Sequence, residues 1–273
     1  MGFESIVERI KSIPPLPESI IKVEELYAKG DPSLPELVNI VEKDPVLTAN
    51  ILAAVNSPLY YFSKDIVSVH QAVTLFGMAS VRGFILSSVA NNNFKFDMTP
   101  YGIDNQEFQT ISQMQSNLMF QWYMSINVEE AKFLVPIAFL MDIGKIIIAK
   151  EVAESDYKDE FTRMIREGKD ITEAEKLFTE MTSAEVTSLL FEHWNFNSLF
   201  VNVIKDSDDP YYANKEIEKF CEAVDVVKTC INVKEPLTED SFRAAKMKAL
   251  RYGFRIDKFI HTVERIQKKL NKS

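Results

Sequence analysis

Residues Val135–Ala149 read VPIAFLMDIGKIIIA, an apolar run broken within four residues by Asp142, Gly144 and Lys145. A carboxylate and an ammonium inside so apolar a segment are carried into the interior with it. Burial there is costly unless the charges are paired, and a buried carboxylate without a partner takes up a proton instead. Lys145 follows Asp142 by three residues, which places the two on one helix face within reach of each other. The spacing predicts one helix over residues 129–149, with Asp142 and Lys145 as a pair.

Working outward from this stretch, helical spacing of apolar residues recurs nearly everywhere, and the 8 glycines and 11 prolines fall mostly between such segments. Before it, residues 3–13 form a first helix, stopped by the Pro14-Pro15-Leu16-Pro17 elbow. The next helix ends at Gly30. Leu34-Pro35 opens a helix over 36–42. Asp44 and Pro45 supply an N-cap and a first helical residue for 46–55, which Asn56-Ser57-Pro58 closes. Residues 66–76 and 79–90 are two helices joined at Gly77-Met78. Their layout resembles a DNA-reading helix pair, yet the second carries only Arg82, too little charge for that role. A polar connection runs from Asn91-Asn92-Asn93-Phe94 to Gly102, and a long helix follows over 106–126. After the motif come a charged helix over 151–167, a capping box of Thr172 and Glu175 followed by one or two helices over 177–194, and another helix over 197–204. Asp206–Pro210 is a turn. Helices over 212–231 and 239–270, the latter broken near Tyr252-Gly253, end the chain.

Of the 273 residues 46% are hydrophobic, ample for a packed core. No apolar run appears long enough to cross a bilayer and the first residues mix acids with bases, so a cytoplasmic protein without membrane attachment is expected. Cys221 and Cys230 sit nine apart on one expected helix, too distant along its axis to bridge, and read as packed thiols. The net charge of -9 is uneven: residues 101–210 carry 20 acids against nine bases, whereas 211–273 carry 14 bases against nine acids. The acidic middle repels nucleic acid.

The motif MDIGK resembles the HDIGK segment of the HD superfamily of metal-dependent phosphohydrolases, with Met141 in the place of a ligand His. Together with the proline elbow (Pro14, Pro17), the capped helix (Asp44, Pro45), the stop (Asn56, Ser57), Gly77 within Leu75-Phe76-Gly77, Gly144, and the helix that ends in Trp194, it resembles the HDOD family. Members of that family share the HD fold and have usually lost its metal ligands. By position, the first ligand His falls near Gln115-Ser116, the third on Ser183, and a paired set on Ser207 and Asp208, leaving Asp142 as the retained ligand position. A thioether suits Cu(I) and not the metals of hydrolysis, which take imidazole and oxygen donors. Moreover the whole chain holds three His (His70, His193, His261), none with a second His or Cys at ligand spacing. One carboxylate with hydroxyls could still gather Mg2+. The preferred reading is a core Asp142 satisfied by Lys145, with Gln115 or Ser183 donating to it.

The resemblance implies an all-α, multi-helix fold in which an N-terminal helical lobe (1–100) packs on a degenerate HD-like lobe (101–210). A basic helical extension (211–273) packs on both. No catalytic residue, metal or other cofactor is expected. The implied function is bacterial signal transduction through contact with other signalling proteins, with self-association open. Such modules are often fused to other signalling domains, and this chain leaves no room for one, so a stand-alone version is expected. Two alternatives remain: a nucleotide sensor using the vacated pocket, and a cryptic metal-dependent phosphodiesterase built on Asp142. Arg243, Lys246, Arg251 and Arg255, interleaved with aromatic residues, form a face for an anionic partner, or else complement the acidic middle of the same chain.

Overall fold

The computed structural model describes residues 2–30, 32–57, 65–93 and 96–270. Pro58 of the expected helix stop and Phe94 of the expected connection lie outside them. The described residues form α-helices and short 3-10 turns, with no strand.

The chain opens with α1 (Phe3–Lys11), which buries Ile6 and Ile10. The proline elbow then tucks in Ile13 and Leu16 and delivers α2 (Glu18–Ala28). Helix α3 (Leu34–Glu42) begins two residues earlier than expected, because Ser33 and Glu36 form a reciprocal capping box. In α4 (Pro45–Val55) Asp44 accepts from the Val46 and Leu47 amides, the cap foreseen from its place before Pro45. Asn56 then bonds both backbone groups of Ile66, at 2.8 and 2.9 Å, and so ties the end of α4 to the approach of α5 (Val69–Asn93). Gly77 divides α5 with φ 77° and ψ 159°, a backbone conformation that favours glycine. Arg82, the one base past that kink, pairs with Glu24 and lies over the Tyr27 ring, which fixes α5 on α2.

Helix α5 provides a correction. The stretch Val69–Leu86 is long and apolar enough to cross a membrane by length and composition, with a mean hydropathy of 1.2. It is nonetheless broken at Gly77, and 61% of it is buried inside the protein.

The second half begins with a 3-10 turn, Thr99–Tyr101, and α6 (Asn105–Tyr123), capped by Asp104 and Glu107. The expected helix over 129–149 is two helices, α7 (Val128–Leu140) and α8 (Gly144–Ala153). The Gly144 N–H leaves the helical ladder and donates to Thr187 Oγ1 at 2.9 Å, while Ile143, Lys145 and Ile146 make tighter bonds to carbonyls three residues back. The expected helix over 151–167 is likewise corrected, since α8 runs on to Ala153 and α9 (Lys158–Arg166) starts afresh.

Helix α10 (Ile171–Thr179) is capped by Asp170, whose side chain accepts from the Glu173 amide, so the expected Thr172–Glu175 box does not form. It is followed by α11 (Ser183–His193) and α12 (Ser198–Lys205). Residues Pro210–Tyr212 make a 3-10 turn, and α13 (Glu218–Cys230) begins six residues after the expected start at 212. Both cysteines are buried on α13, and burial pushes their thiols up to about 12, as packed and unreactive groups. Last come α14 (Glu239–Arg251) and α15 (Ile256–Leu270).

Helix α7 packs between α5 and α6, α8 packs on α11, and α13 touches α6, α7 and α12. One buried apolar cluster runs from Ile6 to Ile266. At its C-terminal side Trp122 meets Phe254 and Phe259 edge-on, each 5.0 Å between ring centres.

Candidate functional site

The motif turn between α7 and α8 is pressed against the first turn of α11. A Cβ on Gly144 would lie 2.3 Å from the Ser183 carbonyl and 2.8 Å from the Thr187 nitrogen, so only glycine permits this approach. The turn sets Asp142 facing into the interior, fully buried, with Lys145 beside it.

The Lys145 ammonium stands among three oxygens: Asp142 Oδ1 at 2.9 Å, Ser183 Oγ at 2.6 Å and Glu175 Oε1 at 3.3 Å. Ser183 Oγ accepts a hydrogen bond from it, while Asp142 and Glu175 hold it as ion pairs, and Asp142 Oδ1 accepts no hydrogen bond among the described residues. The other oxygen, Asp142 Oδ2, accepts from Gln115 Nε2 at 2.7 Å, and the same amide reaches the Ile231 carbonyl at 2.8 Å. Glu175, the expected capping residue, is instead fully buried. It accepts from the Tyr101 hydroxyl at 2.9 Å and from the Ser183 amide at 2.7 Å. On the far side Lys228 of α13 holds Asp208 at 2.5 Å. Three carboxylates and two ammoniums thus form one cluster, buried at Asp142, Lys145 and Glu175 and half-buried at Lys228 and Asp208.

Burial by itself would discharge these groups, and their mutual field prevents it. Desolvation works to raise Asp142, yet Lys145, then Lys228, with the Gln115 bond, hold it below the usual carboxylate range. Asp208 is held low in the same way by Lys228, against its burial. Desolvation works to lower Lys145, and Asp142 and Glu175 outweigh it and hold it high; Lys228 is raised chiefly by Asp208 and Asp142. The Tyr101 phenol is pushed well above its usual value by burial and the adjoining Glu175.

The site therefore joins Gln115, Asp142, Ser183 and Asp208. Ser183 differs from expectation in its partner: it accepts from Lys145 and does not donate to Asp142. Ser207 is buried but bonds the Ile204 carbonyl, as a helix end does. Met141 lies in the apolar cluster, and its carbonyl accepts from Thr187 Oγ1. Tyr101, Glu175 and Lys228 were not found from the sequence. The signal available for Glu175 was its place on the buried face of α10, in line with Ile171 and Thr179; Lys228 and Tyr101 carried none, because their partners are distant in the chain.

The donor set does not fit a hydrolytic metal. Such ions take imidazole and carboxylate ligands with open positions for water. Here His70 and His261 are exposed, and His193 bonds the Ile13 carbonyl at 3.0 Å. Among the described residues no three His, Cys, Asp or Glu converge as a ligand group. A divalent cation beside Asp142 would also face the Lys145 ammonium, which already neutralises those oxygens.

The family landmarks form the surrounding frame. Trp194 Nε1 donates to the Pro14 carbonyl at 3.1 Å, so the end of α11 grips the elbow, and Pro17 caps α2. Two bases of the expected face pair locally. Arg243 pairs with Asp240 and Arg255 with Asp257 on their own surface, while Lys248 reaches Asp225; none of these acids belongs to the 101–210 segment. Arg251 is exposed and Lys246 half-buried. Of the interleaved aromatics, Phe242 packs on Phe259, and Phe254 and Phe259 on Trp122.

Solved structures share this architecture. A virulence factor from Campylobacter jejuni subsp. jejuni is 22% identical, with 99% of this chain and 97% of that one covered, at a TM-score of 0.60. A putative phosphohydrolase from Shewanella amazonensis SB2B is 18% identical, covering 97% and 93%, at 0.71. An HDOD domain protein of unknown function from Geobacter sulfurreducens is 17% identical, covering 98% and 94%, at 0.70. At such identities the likeness establishes the fold. An uncharacterized protein of Treponema pallidum (strain Nichols) is 26% identical over 83 residues, which span 30% of this chain and only 16% of that relative. The HDOD domain family itself matches residues 13–210, from the proline elbow to the end of the Asp206–Pro210 turn, and this chain belongs to it.

Proposed function

We infer that this chain is a regulatory HDOD module which works by contact with other signalling proteins and does not hydrolyse phosphoesters. The observation that carries the reading is the Lys145 ammonium, buried 2.9 Å from Asp142 and 3.3 Å from Glu175. It supplies the positive charge that an HD centre draws from metal, but as an ammonium it cannot polarise a phosphate or lower the pKa of a bound water as a Lewis acid does. Surface chemistry supports the contact role. Tyr211 and Tyr212 stand 80% and 81% exposed at the tip that follows Asp209, and exposed paired aromatics are favoured anchors at protein interfaces.

The test is hydrolysis of cyclic di-GMP and of a generic chromogenic phosphodiester by the full chain, with Mn2+, Mg2+ or Zn2+ added. No turnover above buffer with any metal is the expected result. Metal-dependent turnover that disappears in Asp142→Ala would overturn the reading and restore the phosphodiesterase alternative.

A further inference from the structure

Helix α14 is inverted for a surface helix. Packed on α13 and α15, it buries the small side chains of Ala245 and Ala249 and carries Met247 and Leu250 outward, 58% and 48% exposed. A surface helix with only its own protein to satisfy turns its large apolar residues to the core. Three residues apart, the outward pair shares one face.

A second apolar patch adjoins it. Met124, Ile126 and Val128, on the turn between α6 and α7, are all exposed. Trp122, two residues before Met124, meets Phe254 at 5.0 Å, and the Phe254 amide donates to the Ala249 carbonyl at 2.9 Å. The turn and the end of α14 are therefore neighbours at one end of the molecule. Exposed apolar groups gathered in this way mark an interaction surface. Each patch also has a charge in reserve. Among the described residues the Glu130 carboxylate, beside the turn, accepts only from Asn127 Nδ2 at 2.8 Å, and Arg251, next to Leu250, has no ion pair.

That pattern of signs selects the occupant. A partner of one charge, such as an acidic helix, would meet its own sign at Glu129 and Glu130. A second copy turned about a two-fold axis brings the acidic patch of each chain to the basic patch of the other and covers both apolar patches at once, in the commonest symmetry of oligomers. We propose that this chain forms a two-fold dimer in which the α6–α7 turn of each copy lies on the outer face of α14 of the other, with Glu130 facing the partner's Arg251. The contact is made twice per dimer, so the two halves reinforce each other. This inference stands apart from the reading above, because a catalytic Asp142 centre would leave these surface residues unchanged.

The experiment is sedimentation equilibrium of the full chain up to about 100 µM, where an interface of standard size is filled. Wild type is expected to reach the mass of two chains. Ile126→Lys on the turn and Leu250→Glu on α14, both at exposed positions, are each expected to raise the dimer dissociation constant about ten-fold or more. An equal mixture of these two variants is expected to dimerise better than either alone, since the mixed pair keeps one native contact and joins opposite charges in the other. Arg251→Glu is expected to weaken the dimer about three- to ten-fold, and Arg251→Glu combined with Glu130→Arg to restore it. The proposal is overturned by a wild type that stays monomeric, which leaves this face to another protein, by a Leu250→Glu chain that pairs as wild type does, or by a mixture no better than its parts. Should either apolar-site variant fail to fold by circular dichroism, the charge-swapped double variant decides, and no recovery in it overturns the proposal.

Discussion

Lys145 is the residue on which the interior depends, because three of its neighbours are charged or polar groups with no access to water. Replacing it by methionine keeps the bulk and strands Asp142 and Glu175, a change expected to cost about 3–5 kcal/mol in urea unfolding. Acid should act on the same cluster. Asp142 and Asp208 are held below their ordinary value of 3.8 in the folded protein, so the stability they contribute is present above that value and lost as pH falls through the lower folded ones. Denaturation midpoints should therefore be level from about pH 5 upward to neutrality and fall below about pH 4. In Lys145→Met the Asp142 carboxyl loses its main cation, and the acid limb should move to higher pH. Gly144 is a second point of dependence: Gly144→Ala forces α8 from α11 and should cost about 1–3 kcal/mol or more. Asp142 and Lys145 could be paired from the sequence because a three-residue helical spacing is local. Glu175 could not, since a capping-box pattern at Thr172 offered a competing local reading that Asp170 pre-empts.

At the scale of elements, the helix starts marked by proline and a short polar residue were legible, as at Asp44-Pro45, because the first turn of a helix settles its own hydrogen bonds. Asp44 also accepts from Ser19 on α2 at 2.7 Å, so it holds two helices. Asp44→Ala should cost about 1–2 kcal/mol by thermal unfolding. Not legible was the break between α7 and α8, where apolar periodicity continues unbroken and the decisive bond runs to Thr187, 43 residues away. Helix α1 shows a similar dependence on distant partners. Arg9 grips Glu151 of α8 with bonds of 2.9 and 2.7 Å and Glu154 at 2.7 Å, while Ser5 donates to Glu151 at 2.6 Å. Arg9→Met leaves the buried Glu151 with one donor and is expected to lower stability by about 1–3 kcal/mol.

For the whole molecule, the informative fact is that the charged cluster draws on a helix past the end of the family match at residue 210. Lys228, the partner of Asp208, and the Ile231 carbonyl, which receives Gln115, both come from the segment that composition marked only as a basic extension. The Trp122 ring likewise depends on Phe254 and Phe259. A fragment of residues 1–210 should therefore lack a cooperative unfolding transition by calorimetry, whereas a covering extension of separate stability would leave one intact. Charge asymmetry alone could not show this, because it counts bases without saying which of them, such as the half-buried Lys228, turns toward the cluster.

The central claim is that the buried Lys145 and the half-buried Lys228 balance the carboxylates at the place where the HD resemblance puts a metal. It is tested most directly by elemental analysis of the full chain purified without chelator, beside Asp142→Ala prepared identically. The account predicts that Zn, Fe, Mn and Ni stay far below one per chain in both samples. A stoichiometric metal in the wild type that is lost in Asp142→Ala would contradict it.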